Sequence, residues 1–469
     1  MKSNRILLAV PFLLGTTALA HAADPAQTVY PVDDSHSFFS LSGTVGGVVM
    51  DLPDGGGLFM GEGADDANDL LFGGTVGVSA AVGTGPVLGG LQGFIGLNLF
   101  GTYAYADVNK TSAFTGPGVV VMQGGAGPFS SLITIATSSG ATSAFADITS
   151  THTNPDGGGE AVAVNAFTNP GPGAEDAPYT STADDPVSFQ WGGAQTRVDD
   201  DGGSATAYAA LADENGGVFI AAGNLDGLNL TQSYRTEALY LGGDVTFGVS
   251  GQNGTTALQG YVGPSYRYLA QRNSSSSTLV VDVPEYINPA VAEFPLLTIS
   301  GTDTFTSHYM GGTAGLTATI QTSSTTALTL GVEAGAYYTM ASLSSDGTYT
   351  VSGGNLVDGG AVVPDPVPGA VSEISIEYDG VEYEAETIAF AARGTAAYTV
   401  AIAQNAQVTF SGSVDYLSAV AQTGVNATVV DYDGDDDGSV MYQSGGDNER
   451  ISWGHMLNLS GSVSLTGQF

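Results

Sequence analysis

Arg450-Ile451-Ser452-Trp453-Gly454-His455-Met456-Leu457-Asn458-Leu459-Ser460-Gly461-Ser462-Val463-Ser464-Leu465-Thr466-Gly467-Gln468-Phe469 alternates with a period of two over its whole length. Ile451, Trp453, Leu457, Leu459, Val463, Leu465 and Phe469 fall on one face, and Ser452, Asn458, Ser460, Ser462, Ser464, Thr466 and Gln468 fall on the other. Successive side chains of a strand point to opposite faces, so this is one strand with an apolar and a polar side, far longer than the usual five or six residues. Soluble sheets rarely need such length. A tilted strand crossing a bilayer does, with lipid on one side, water or packed polar groups on the other, and aromatics at the interfaces.

The rest of the chain repeats the pattern. Ten segments alternate in the same way, near 37–50, 71–83, 87–105, 235–251, 256–271, 303–321, 326–341, 386–403, 407–421 and 450–469. Short turns rich in Gly, Pro, Asn, Ser or Thr join them at Gly83–Pro86, Gly251–Thr255, Thr322–Thr325 and Gln404–Ala406. Such residues accept tight backbone angles or bond their own backbone. Long acidic or glycine-rich stretches join the opposite ends, an asymmetry expected of periplasmic turns and extracellular loops. No segment is apolar for the ~18 residues of a spanning helix, and lipid offers no partner to a bare amide, so strands that cross must close on one another. The expected fold is therefore all-β: a transmembrane antiparallel up-and-down β-barrel of ten strands, with twelve as the alternative.

Phe469, preceded by alternate apolar residues, resembles the terminus of outer-membrane β-barrels of Gram-negative bacteria. That resemblance implies that Phe469 is the signal read by the barrel-assembly machinery, that outer-membrane lipid and lipopolysaccharide are partners, and that the cell outer membrane is the location. At the other terminus Lys2 and Arg5 precede an apolar run from Ile6 to Leu14 and the small triplet Ala20-His21-Ala22. This reads as a signal peptide over residues 1–22, cut near Ala22, which leaves 23–469 as the barrel.

Residues 106–233 contain β-prone pieces such as Val119–Met122 and Val187–Trp191, shorter than the ten. Three arrangements are open: an extra hairpin in the wall, a cap over the mouth, or an internal plug.

Parity separates lipid from lumen. Leu91, Ile95, Leu97 and Leu99 share a face, as do Leu239, Leu241, Val245 and Phe247, then Leu328, Leu330 and Val332, and Ile388, Phe390, Tyr398 and Val400. Asp244, Arg267, Glu333, Arg393, Asp415 and Arg450 take the opposite, lumen parity. Tyr103, Tyr105, Tyr266, Tyr268, Tyr338 and Trp453 fall where an aromatic girdle is expected. Interior charges in a conducting barrel select ions; in a filled one they form ion pairs. Most other interior positions are small, which leaves space.

The formal net charge is −38, with 47 acids against 9 basic residues, and a surface of that sign repels polyanions. No nucleic-acid role is expected. Cysteine is absent, which excludes disulfides and thiol chemistry. Asp431, Asp433, Asp435 and Asp437 lie in an acidic loop that opens like a calcium-binding loop, with Gly438 at its sixth position counted from Asp433. Ser444 stands where a closing Glu would be needed, so the expectation is no cofactor beyond a weak Ca²⁺ or Mg²⁺ site. His308 near Asp303 and Glu333 is the one Asp/His grouping, with no spacing that demands catalysis; the chain is read as not an enzyme. The functional expectation is a porin-like barrel passing small solutes or ions with a cation preference. The alternative is a non-conducting surface barrel serving adhesion or envelope integrity through its acidic loops.

Overall fold

In the computed structural model ten strands form the wall: β1 (Phe39–Asp51), β2 (Leu71–Leu88), β3 (Leu91–Ala113), β4 (Leu228–Asn253), β5 (Thr256–Val281), β6 (Leu296–Gln321), β7 (Thr326–Ser352), β8 (Glu382–Ala403), β9 (Ala406–Thr423) and β10 (Ile451–Gln468). The structure describes residues 39–53, 70–88, 91–114, 117–125, 143–151, 161–169, 176–182, 189–198, 205–213, 216–224, 228–281, 296–352, 355–358, 361–362, 373–378, 382–423 and 451–468. The expected signal peptide, Arg450, the acidic loop with Asp431, Asp433, Asp435 and Asp437, and Phe469 lie outside the described residues.

Each wall strand pairs antiparallel with the next, and β10 pairs with β1 from Gln468 opposite Ser40 to Leu457 opposite Asp51. The ring is closed. Each strand of the ring has a hydrogen-bonded neighbour on both sides, as hydrocarbon requires. Leu97, Phe247, Leu330, Val332, Ile388 and Leu465 stand exposed on the outside, an apolar band that water would penalise and lipid accepts.

Several strands run past the expected ends: β4, β5 and β6 span 26 residues each and β7 spans 27. Beyond the band their outward residues turn polar, as at Arg272, Ser274, Thr302 and Thr304. The hydropathy contrast fades there while the ladder continues. At the short-turn end, Gly254 between β4 and β5 takes φ 62°, a left-handed conformation that glycine adopts without steric cost. The expected turn Gly83–Pro86 is instead the irregular end of β2, with register shifts there and Gly85 at φ 82°. A bulge spread the turn signals over the strand.

The ends of the 106–233 region prolong two wall strands, and its remaining described strands add no further strand to the ring. β3 runs on to Ala113 and β4 begins at Leu228, and the two pair directly. Between them, strands 117–125, 189–198, 205–213 and 216–224 join 355–358 and 361–362 in a separate six-stranded sheet. Strands 143–151, 161–169 and 176–182 form a three-stranded one. Two long connections of one side thus share a sheet.

Candidate functional site

Inside the ring, five charged side chains alternate in sign across the lumen. Arg267 Nη1 and Nη2 donate to Asp244 Oδ1 and Oδ2 at 2.8 and 3.0 Å, a bidentate pair in which both residues are almost wholly buried. Glu333 Oε1 lies 3.9 Å from Arg267 Nη2 and 4.0 Å from Arg393 Nη1. Arg393 Nε donates to Asp415, which also accepts from Ser413 Oγ at 2.8 Å. Tyr261 OH donates to Glu333 Oε2 at 2.7 Å. The register explains the line: Arg393 stands directly opposite Glu333 on β7 and Asp415 on β9.

Glycine makes room for the aromatics of this layer. A Cβ on Gly315 would lie 2.1 Å from Tyr261 Oη, and one on Gly242 would lie 2.3 Å from the Phe100 ring, whose face Arg267 covers at 4.9 Å. Aromatic rings lying on bare backbone take up the space expected to be open. The void left beside the network, lined by Tyr240, Glu333 and Tyr337 among others, is about 20 Å³, room for about one water molecule.

Next to the network lies one contiguous apolar cluster to which all ten strands contribute: Met50 from β1, Leu71 from β2, Phe100 from β3, Tyr240 from β4, Leu269 from β5, Tyr309 from β6, Tyr337 from β7, Ala389 from β8, Leu417 and Val420 from β9, and Met456 from β10. Met50, Leu71, Leu269 and Tyr309 have no exposed surface. It is a stopper across the lumen. Sequence reasoning missed it, although all of these residues except Val420, which follows the bulge in β9, occupy inward parity.

The β9–β10 hairpin completes the closure. β9 leaves β8 after Leu417, where Ala419 sits at φ 55° in a bulge, and β10 has no β1 partner above Leu457 among the described residues. Ser418 Oγ accepts the Phe390 N–H at 2.7 Å where the ladder stops. Freed from both neighbours, the hairpin end turns inward. Across the lumen Tyr309 OH donates to the Ala419 carbonyl at 3.2 Å and Gln271 Nε2 to that of Ala421 at 3.0 Å, and Cα atoms of β9 come within 8 Å of β6, which is not its neighbour in the ring. Ile451 and Ala421 pack on Phe305 and Leu343, with Trp453 against both clusters.

Trp453, expected in the girdle, and Ile451, expected on the lipid face, are therefore interior residues. The bulge and the detached edge carry them there. The five girdle tyrosines face outward: Tyr103, Tyr105, Tyr266 and Tyr338 are exposed and Tyr268 is half-buried. His308 also points outward, 2.8 Å from Tyr266 OH, on the face opposite Asp303 and Glu333, which removes the Asp/His grouping. Asp303 is buried inside and accepts from Ser345 Oγ at 2.6 Å.

Toward the short turns the interior is hydroxyl-rich. Thr319 and Thr329 are 3.1 Å apart, Thr399 and Thr409 2.9 Å, and Thr466 donates to Ser42 at 3.0 Å. The buried hydroxyls of Thr44, Thr75 and Thr313 have no protein partner among the described residues, which calls for water. A cavity of about 410 Å³, lined by Gln252, Gln321, Thr399 and Gln468 among others, opens at this end.

No protein-family model and no curated protein matches this sequence. Among solved structures the chain is similar to OmpT, an outer membrane protein of Vibrio cholerae, at 9% identity over 95% of this chain and 100% of that one, with a TM-score of 0.15. The P pilus usher PapC translocation pore follows at 8% identity, 92% and 99% coverage and TM-score 0.10. The unliganded ferric citrate transporter FecA stands at 9% identity, 92% and 78% coverage and TM-score 0.10. Likeness at this level carries no argument. The barrel rests on its own hydrogen-bonded ring and its outward apolar band.

Proposed function

We propose that this chain is an outer-membrane barrel whose lumen is closed at rest and whose work is done on its outer surface, through acidic long connections that serve adhesion or envelope integrity with lipopolysaccharide as a partner. The observation that carries this reading is the apolar cluster fed by all ten strands, backed by an ion-pair chain that uses its charges on one another. Charges committed to partners do not attract permeant ions, and a packed apolar layer excludes water. Purified, heat-modifiable protein in planar bilayers is expected to give a silent baseline. Regular ohmic steps from the wild-type chain would contradict it.

The cation-preferring porin is the second reading, favoured by the hydroxyl-lined vestibule and by the net negative charge of the interior five. It requires the hairpin end to swing back into the wall, and would appear as steps that depend on voltage or on a ligand.

A further inference from the structure

We propose that the lumen holds one monovalent cation between Asp415 of β9 and Asn458 of β10, at the foot of the apolar stopper. Asn458 is only 4% exposed, and its Oδ1 has no hydrogen-bond partner among the described residues, which is costly for a buried acceptor. It stands directly opposite Asp415 in the β9–β10 register, and both residues have inward parity. Opposite residues of an antiparallel pair carry their Cβ atoms about 5 Å apart, so oxygens of the two side chains can share one ion. On its other side Asn458 meets Met50 of β1, whose side chain has no hydrogen to donate.

The charges of the ion-pair layer set the sign and size of the guest. Three carboxylates, Asp244, Glu333 and Asp415, against the guanidiniums of Arg267 and Arg393 leave −1. A surplus charge away from bulk water calls for a counter-ion. One monovalent cation brings the layer to zero, whereas a divalent one would set a positive excess beside two guanidiniums. The same layer selects the end at which the ion sits. Asp244 has both oxygens held by the Arg267 fork, while Asp415 meets Arg393 through Oδ1 and accepts at Oδ2 from the neutral Ser413 hydroxyl. Asn98 faces Asp244 as Asn458 faces Asp415, but there a cation already covers both carboxylate oxygens.

A polar track leads to the site. From Gln407 to Asp415 on β9, and from Asn458 to Gln468 on β10, every inward residue carries a hydroxyl, an amide or a carboxylate. The Ser413 and Ser460 hydroxyls are 2.7 Å apart, and Gln407, Thr466 and Gln468 line the cavity that opens at the short-turn end. Oxygens of this kind replace the hydration shell of a small ion. Above the site Leu417 and Met456 belong to the stopper, so the ion enters and leaves from the short-turn side.

The site lies inside the barrel and does not depend on the outer-surface role: conductance tests that reading, and cation-linked stability tests this one. Full-length protein in detergent is unfolded in urea at increasing NaCl, with ionic strength held constant by N-methylglucamine chloride, whose cation is too large for the site. Above the dissociation constant for Na⁺, the unfolding equilibrium constant is expected to fall about tenfold for each tenfold rise in Na⁺. Asn458→Leu removes the bare acceptor and Asp415→Asn removes the surplus charge. Each, checked as folded by heat-modifiability, is expected to abolish the Na⁺ dependence, and Asn458→Leu decides if Asp415→Asn does not assemble. Asn98→Ala, at the other end of the layer, is expected to keep it. Stability indifferent to the exchange of N-methylglucamine for Na⁺, a wild-type response in Asn458→Leu, or loss of the response in Asn98→Ala as well would each overturn the proposal. So would a midpoint that moves with pH and not with Na⁺, the sign that a proton neutralises the layer.

Discussion

Asp244 shows how one residue holds the interior. Its carboxylate takes both Arg267 forks in a space without bulk water, so Asp244→Ala strands a buried guanidinium. The loss of one partner of a buried pair costs about 3–5 kcal/mol, and replacing both by apolar residues costs far less. Asp244→Ala is expected to lower the urea midpoint of the detergent-folded protein clearly, and Asp244→Leu/Arg267→Met to recover most of it; equal loss in both would show that the pair is not what holds this layer. The sequence placed Asp244, Arg267, Glu333, Arg393 and Asp415 on the lumen face by parity alone. Their mutual contacts were only partly readable, because the long connections between β5 and β6 and between β7 and β8 hide the register that brings Glu333 to the two arginines. The two-residue turns of the β4–β5 and β8–β9 steps would have set Asp244 one diagonal step from Arg267, and Arg393 opposite Asp415 to within one residue.

The elements were legible wherever outward lipid forces an apolar residue at every second position. All ten strands follow from that rule, and their extensions beyond the band do not, since water imposes no such contrast. The β9–β10 end broke the rule for a local reason: the bulge at Ser418–Val420 inserts an extra residue and changes which face later side chains take. No turn residue marks it, and Ala419 at φ 55° is a position where an L side chain is strained. Trp453 reports on this fold-back. The chain has two tryptophans, Trp191 and Trp453, so Trp191→Phe isolates the second. Its emission is expected to resist quenching by brominated lipid, whereas Tyr338→Trp in a background lacking both native tryptophans is expected to be quenched; strong quenching of Trp453 would return it to the girdle.

At the scale of the whole molecule, the outside obeys lipid and the inside obeys packing. The seam between β1 and β10 joins residues more than four hundred positions apart and is the last piece the wall needs. It is also short, ending at Asp51 opposite Leu457, because the hairpin end of β10 departs inward. A chain without cysteine lets that seam be tested in its native membrane by one introduced pair. Ser42 and Thr466 are register partners inside the lumen with hydroxyls 3.0 Å apart. Ser42→Cys/Thr466→Cys is expected to form an intramolecular disulfide on mild oxidation, seen as a mobility shift on a denaturing gel that reductant reverses, while the offset pair Ser42→Cys/Leu465→Cys, whose side chains face opposite sides of the wall, stays reduced. Failure of the first pair to link, or equal linking of both, would mean that the ring is not closed in this register.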